Sequence, residues 1–458
     1  MKILMTGATG LIGKELGKAL SGEGHEITVL SRNAERASSE LPFPAKVFSW
    51  STEKNFPEEA LYNIDAVINL AGESIGAGRW SKKSKKLIYD SRIEGTKKLI
   101  KAIKELSSTP HFKLKDFISA SAIGIYGDQG DQQLWENSSH GSDFLTKVCE
   151  DWEEETKVLA TMNIRVVNPR IGIVLSQYGG ALEKLLPLFM NGIGSAVGSG
   201  KQWMSWIHHQ DLVRLFQHIL NNKSVNGAIN AVAPNPVTNL VFSKILARTL
   251  NKPLFPKVPS LVLKLVLGEM STLVLSSQRV SCEKALGSGF TFKYPGLEEA
   301  FDEITTNIRN GYQEYFAEQW VAKTPEEIFP FFTNESNLEK LTPPFLRFKV
   351  LKKSTPNLDS GTIIDYRLSL YGLPFFWKTE ITSWEPKRKF VDIQLKGPYK
   401  TWHHTHEFIP FLNGTLLRDR VLYRLPLGIL GNLIAGFKVK SDVNNIFAFR
   451  RQYIFRNI

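Results

Sequence analysis

Residues 1–13 combine a short apolar run at 3–5 with glycines at 7, 10 and 13, and an amphipathic helical pattern follows directly. Few folds accommodate that order. A buried parallel strand ends in a tight turn, glycine lets the backbone approach a diphosphate, and the next helix points its positive N-terminus at the anion. The glycines follow a strand, open a helix and lead to a second strand at 25–30, the context that makes such a turn a dinucleotide site. Thr6, Gly7, Thr9, Gly10, Leu11, Ile12 and Gly13 are its expected contact residues.

The end of the second strand selects the dinucleotide. An acidic residue there would accept hydrogen bonds from the adenosine ribose and favour NAD. The chain instead reads Leu30-Ser31-Arg32-Asn33, with no carboxylate before Glu35. Arg32, next to Ser31, can pair with a 2′-phosphate and stack on adenine, which favours NADP over NAD. A further apolar strand at 65–71 ends in Asn69, Leu70, Ala71 and Gly72, small or polar residues that leave room for the ribose and diphosphate.

A chain of 458 residues is too long for one core and suggests two or three domains. Its only cysteines are Cys149 and Cys282. That excludes a disulfide framework and a four-cysteine zinc site, and points to a reducing compartment, the cytoplasm by default. The N-terminus lacks the apolar stretch of a signal peptide. Lys264 and Glu269 interrupt the apolar segment 259–277, and 425–437 is too short to span a bilayer. The net charge of +12 is spread among acidic residues without an arginine-rich arm or zinc finger, so nothing specifies a nucleic-acid partner. A small-molecule substrate is the expected partner, and no feature of the sequence fixes an oligomeric state.

Strand patterns at 2–6, 25–30, 45–50, 65–71, 115–121 and 164–168 alternate with helical ones, which is the signature of a doubly wound α/β parallel sheet. A helix over 82–106 carries Leu87, Ile88, Ile93, Leu99, Ile100 and Ile103 on its apolar side, and its run of lysines reads as a solvated face. The character changes near 306–314. Aromatic-rich strands follow at 315–323, 346–354, 361–371, 375–384, 390–396, 400–409 and 415–424, with two short helices near 325–341 and a final helix from 427 to about 451.

Several ordered segments carry a closer likeness. They include Asn69-Leu-Ala-Gly-Glu-Ser74, Gly78-Arg-Trp80, Asp90-Ser-Arg92, Ser119-Ala-Ser121, Asn168-Pro-Arg170 and Gly200-Lys-Gln-Trp-Met-Ser-Trp-Ile-His208, followed by Asn230 to Thr238 and Ser276 to Val280. Residues 1 to about 303 thereby resemble the extended short-chain dehydrogenase/reductase superfamily, most closely its "epimerase family protein" subgroup, relatives of nucleotide-sugar epimerases. The resemblance implies a Rossmann domain over 1–305 and hydride transfer at a carbinol carbon. It also implies a tyrosine acid/base, a lysine four residues later that lowers the tyrosine pKa, and a serine that orients the carbonyl.

Ser121 fits the serine. The other two do not fit: none of the twelve tyrosines is followed four positions later by lysine. Cys149 stands at about the lysine position, and Tyr126 and Lys147 have the wrong spacing to act as the pair. A phenol with an ordinary pKa near 10 is a poor base at neutral pH without a nearby cation. Either another group serves as acid/base, or the site binds NADP without turnover. Glu73, Asp90, Arg92, His208 and His209 are the remaining candidates, each more readily explained as a cap, ion pair or exposed side chain. Asp211 reads as packing on the substrate side.

Residues 314–458, with Gly397 to Phe408 and Thr415 to Pro426, resemble the α+β helix-grip fold of START-like and polyketide-cyclase proteins. That likeness implies a curved sheet gripping a helix over a cavity for a small hydrophobic ligand. Tyr371, Phe375, Phe376 and Trp377 either line its mouth or fill the core. His404 and His406 share a strand face with Trp402, whereas His403 points the other way. No carboxylate or cysteine is expected to join the two histidines on that face, so the expectation is a polar cavity wall or exposed strand face and no metal site.

Overall fold

A computed structural model describes residues 1–334, 336–370 and 372–458. The chain forms two compact units, one of Met1–Ala34 with Ala45–Thr306, the other of Glu35–Pro44 with Asn307–Ile458.

The first unit is built on a parallel sheet of β1 (Lys2–Thr6), β2 (Glu26–Ser31), β3 (Lys46–Ser49), β4 (Ala66–Asn69), β5 (Asp116–Ser119), β6 (Arg165–Ile171) and β7 (Gly227–Ala231). The strand order is β7-β6-β5-β4-β1-β2-β3. Its helices include α1 (Leu11–Gly22), α3 (Lys82–Leu106), α4 (Phe144–Lys157) and α5 (His209–Asn221), whereas α2 (Ala34–Glu40) falls in the second unit from Glu35 onward. Continuous apolar runs such as Ile3, Leu4 and Met5 in β1 and Ala66, Val67 and Ile68 in β4 are buried, as strands covered on both faces require. Because β1 pairs with β2 on one side and β4 on the other, the strand order reverses at β1, and a crevice opens at the carboxyl ends of β1 and β4.

A capping box between Ser81 and Ser84 starts α3, and the helix buries Leu99, Ile100 and Ile103 against Leu4, Val67 and Phe117. Leu87, expected on the apolar side, is exposed instead, one position off the buried stripe that begins at Ile88. The apolar segment 259–277 folds as two short helices, Ser260–Leu267 and Thr272–Leu275, joined by a 3-10 turn. Among the described residues no helix is long and apolar enough to cross a membrane.

The second unit is sheet-rich. Strands β8 (Gln313–Val321), β9 (Lys349–Lys353), β10 (Ile363–Leu370), β11 (Leu373–Glu385), β12 (Lys389–Lys396), β13 (Thr401–Phe411) and β14 (Gly414–Arg424) form one antiparallel sheet. Its order is β8-β14-β13-β12-β11-β10-β9. A Thr324–Glu327 capping box opens α6 (Pro325–Thr333), and the 29-residue α7 (Ile429–Asn457) ends the chain. Val443 and Phe447 of α7 pack on Tyr315, Val421 and Tyr423, and Ile454 joins Ile328, Phe390 and Phe408. Helix α7 therefore lies against the β8–β14–β13 side of the sheet. Trp377 meets Tyr399 at a tilt and Trp402 edge-on, Phe376 is exposed, and Tyr371 lies outside the described residues.

Candidate functional site

The glycine turn is built by close approach. Gly7 has φ +68°, and a Cβ there would lie 2.7 Å from the Leu70 carbonyl carbon; at Gly13 it would lie 2.3 Å from the Gly7 oxygen. These two glycines are required by the fold itself. Gly10 is different: it is exposed, and a Cβ would meet only the Gly7 oxygen at 3.2 Å. It precedes α1, whose first turn has no side-chain cap, so the N–H groups at Leu11, Ile12 and Gly13 are left to an outside acceptor. Thr9 is half-buried beside them.

Thr6 and Asn69, grouped above with the cofactor contacts, act one layer below the crevice floor. The Thr6 hydroxyl donates to Asn69 Oδ1 (2.7 Å) and accepts from the backbone N–H of Leu70 and Ala71 (both 3.1 Å). Asn69 Nδ2 donates to Thr96 and Ser119. The two side chains are buried and fix the course of residues 70–72. Beneath Gly72 lies the Arg92 guanidinium, 2.8 Å from where a Cβ would be, which donates to the Glu73 and Ile88 carbonyls. Arg92 is thus committed to the backbone, and Asp90 to Lys86.

At the end of β2, the Arg32 side chain is 82% exposed and reaches Glu73 at a loose 3.5 Å. The Ser31 hydroxyl donates to the Asn33 carbonyl and accepts from its N–H. An uncapped helix start, a glycine cradle and an exposed guanidinium at the second strand end suit a diphosphate and an additional phosphate.

Deeper in the crevice, four elements meet around Glu153 of α4. Ser121 Oγ donates to Glu153 Oε1 at 2.6 Å, and Arg170 of β6 holds both carboxylate oxygens at 2.9 Å. Arg170 also donates to the Tyr126 hydroxyl (3.0 Å), which donates to Asn230 Oδ1 (2.7 Å). The carboxylate holds the Arg170 pKa above its ordinary value. Burial raises that of Tyr126 despite the guanidinium. The Ser121 proton is engaged by Glu153, so a substrate carbonyl would have to compete for it. Sequence reasoning missed Glu153 and Asn230, although the segments around Arg170 and Asn230 were visible as motifs.

No lysine–tyrosine pair forms here. Cys149 occupies the core beside Ser121, and burial pushes its thiol up to about 12. Lys147 pairs with Asp151 on the exposed side of α4. His208 caps α5 through Nδ1 and lies 3.0 Å from Glu303, while His209 pairs with Glu15. The buried Asp211 accepts from the backbone N–H of Lys293 and Tyr294, which makes it a structural anchor.

The second unit corrects the expectation for His404 and His406. Asp392 of β12 is the cross-strand partner of His404, and Asp419 of β14 is that of His406. Both carboxylates therefore join the histidines on the face covered by α7. Burial lowers the His404 pKa to about 4.

The model of the NAD dependent epimerase/dehydratase family matches residues 3–231, and that of a domain of unknown function, DUF1731, matches 258–304. The chain is 38% identical over 306 residues to epimerase family protein YfhF of Bacillus subtilis, an alignment covering 66% of this chain and 98% of that protein. It resembles the crystal structure of human epimerase family protein SDR39U1 (isoform 2) with NADPH, at a TM-score of 0.60 and 31% identity, over 67% of this chain and all (100%) of that one. A nucleoside-diphosphate sugar epimerase from Corynebacterium glutamicum is similar at a TM-score of 0.53 and 32% identity, over 66% of this chain and 58% of that one.

Proposed function

The chain belongs to the NAD dependent epimerase/dehydratase family, and we propose that it binds NADPH in preference to NADH and acts on the carbonyl or carbinol carbon of a small, nucleotide-sugar-like substrate. The observation that carries the cofactor reading is Arg32, an exposed guanidinium where an NAD site would place a carboxylate. The similar human protein was crystallised with NADPH. Gly7, Gly10, Gly13 and the start of α1 would hold the diphosphate, and Leu70, Ala71 and Gly72 would border the ribose. When bound, the nicotinamide supplies or accepts the hydride. Ser121 would present its hydroxyl to the substrate oxygen in exchange with Glu153, which Arg170 holds in place through both carboxylate oxygens. Calorimetric titration tests this: NADPH should bind more tightly than NADH, and Arg32→Asp should weaken NADPH roughly tenfold or more, with NADH little changed. Equal losses for both would remove Arg32 from the 2′-phosphate.

A second reading, a non-catalytic NADP-binding sensor or scaffold, is favoured by Cys149, a protonated thiol where the family chemistry calls for a cation. It predicts no oxidation of bound NADPH by any of a broad panel of carbonyl compounds. Turnover that disappears in Ser121→Ala would reject it.

For the second unit we favour the helix-grip fold and a small hydrophobic ligand, because α7 lies along one antiparallel sheet with aromatic residues between them. The two free, buried cysteines suit a reducing, cytoplasmic setting.

A further inference from the structure

We infer that Asp392, His404 and His406 form a binding site for a divalent transition cation of the zinc class, oriented by Asp419 and Arg450. The three ligand atoms come from adjacent strands and lie within 4.8 Å of one another. Asp392 Oδ2 stands 3.1 Å from His406 Nε2 and 3.6 Å from His404 Nδ1. Zinc–nitrogen and zinc–oxygen bonds of roughly 2.0–2.2 Å put tetrahedral ligands about 3.3–3.5 Å apart, so these separations bracket the edge of such a site.

The other two ring nitrogens face Asp419. Its Oδ1 lies 3.1 Å from His404 Nε2 and 3.1 Å from His406 Nδ1. With a cation bound, this one carboxylate can accept a hydrogen bond from each ring, which would fix both tautomers and turn both remaining lone pairs toward Asp392. That is the carboxylate–histidine relay that orients metal ligands. Two neutral imidazoles carry only two N–H groups between them, yet four ring nitrogens face carboxylates here. In those tautomers the Asp392 side would hold two lone pairs and an anionic oxygen with no hydrogen among them, an arrangement that a cation completes; without a cation, His406 Nε2 donates to Asp392 instead.

The surroundings agree. Arg450 of α7 lies 3.5 Å from Asp419 Oδ1 and offsets its charge. With both rings neutral, Asp392, Asp419 and Arg450 leave one net negative charge. Phe390 stacks on His406 at 4.1 Å, and Phe447 meets His404 edge-on at 5.2 Å, which supplies an apolar shell. The guanidinium is also 3.1 Å from His406 Nδ1. Donation there would turn the His406 proton to Asp392 and complete a metal-free network, so the competitor to a metal is a proton. Three protein ligands leave a fourth position to water or to a ligand oxygen.

The experiment uses the full chain, stripped with a chelator and titrated with Co2+ followed by Zn2+. The expected result is one equivalent of cobalt with the intense visible bands of tetrahedral coordination, bleached by zinc. The bands should vanish in His406→Gln and Asp392→Asn. Asp419→Asn should weaken affinity by about 10–100-fold. His403→Gln, on the opposite face, and His209→Gln, in the separate His208–His209–Glu303 cluster, should retain the bands. Absence of the bands in the unaltered protein overturns the inference whatever the variants do. So does their persistence in Asp392→Asn, or their loss in His209→Gln alone.

Discussion

At Glu153 one carboxylate takes three hydrogen bonds from two side chains on different elements: one from the Ser121 hydroxyl and two from the Arg170 guanidinium. Glu153 and Arg170 are almost fully enclosed, with side-chain exposures of 13% and 5%. Removing one charge from such a pair strands the other in a medium that solvates it poorly. Glu153→Gln should therefore cost about 3–5 kcal/mol in denaturant unfolding, while replacing both residues with Met should cost less than that single change. Cysteine reactivity follows from the same burial. Thiolate is the nucleophile, and burial pushes Cys149 to about 12 and Cys282 to about 11. Both should resist a disulfide reagent in the native protein at pH 7.5 and react fully in guanidinium. A fast native thiol would show that this region opens on the timescale of the assay.

At the scale of elements, the β1–α1 turn separates what the fold needs from what a ligand needs. Gly13→Ala sets a methyl carbon against the Gly7 oxygen and should destabilise the protein by about 1–3 kcal/mol even without cofactor. Gly10→Ala meets only one mild contact, so it should leave the ligand-free melting temperature nearly unchanged and still reduce the stabilisation by NADPH. The start of α5 supplies a pH dependence. His208 is buried and caps the helix as a neutral ring, and burial lowers its pKa below 6.5. The unfolded chain then takes up the proton first, so stability should fall as pH drops from 6.5 toward the folded value. Glu303 is held below 4.5 by its hydrogen bond to His208, so its share is present above pH 4.5 and lost as pH falls further. Urea midpoints between pH 8 and 4 check this, and His208→Gln should flatten the upper part of the slope.

The same elements show what was legible in the sequence. The glycine turn, Arg32 and the span of α3 were readable because each is encoded within a few neighbouring residues: a strand end, a missing acid, a helical period. The Glu153 network was not, because Ser121, Glu153, Arg170 and Asn230 meet only after four elements pack. The two histidines of β13 carried half of their message. Their shared face follows from the two-residue period of a strand, but Asp392 and Asp419 reach that face through the register of β12 and β14, which no local pattern states.

For the whole molecule, the consequence is that each unit closes a core of its own, one around Leu4, Val67 and Phe117, the other around Ile328, Phe390 and Phe408. Each core is expected to lose its structure cooperatively on its own, in which case a ligand stabilises only the unit that binds it. At a hundred times its dissociation constant, a ligand that binds only the folded state adds about 2.7 kcal/mol. Scanning calorimetry should thus show a transition that NADPH raises and a second that NADPH leaves in place. Zinc should move the second and not the first, since the glycine turn and the Asp392–His404–His406 cluster lie in different units. If both ligands move one common transition, the two units unfold as one, and the site of each ligand must then be assigned through Gly10→Ala, which should reduce the NADPH response alone, and Asp392→Asn, which should abolish the zinc response alone.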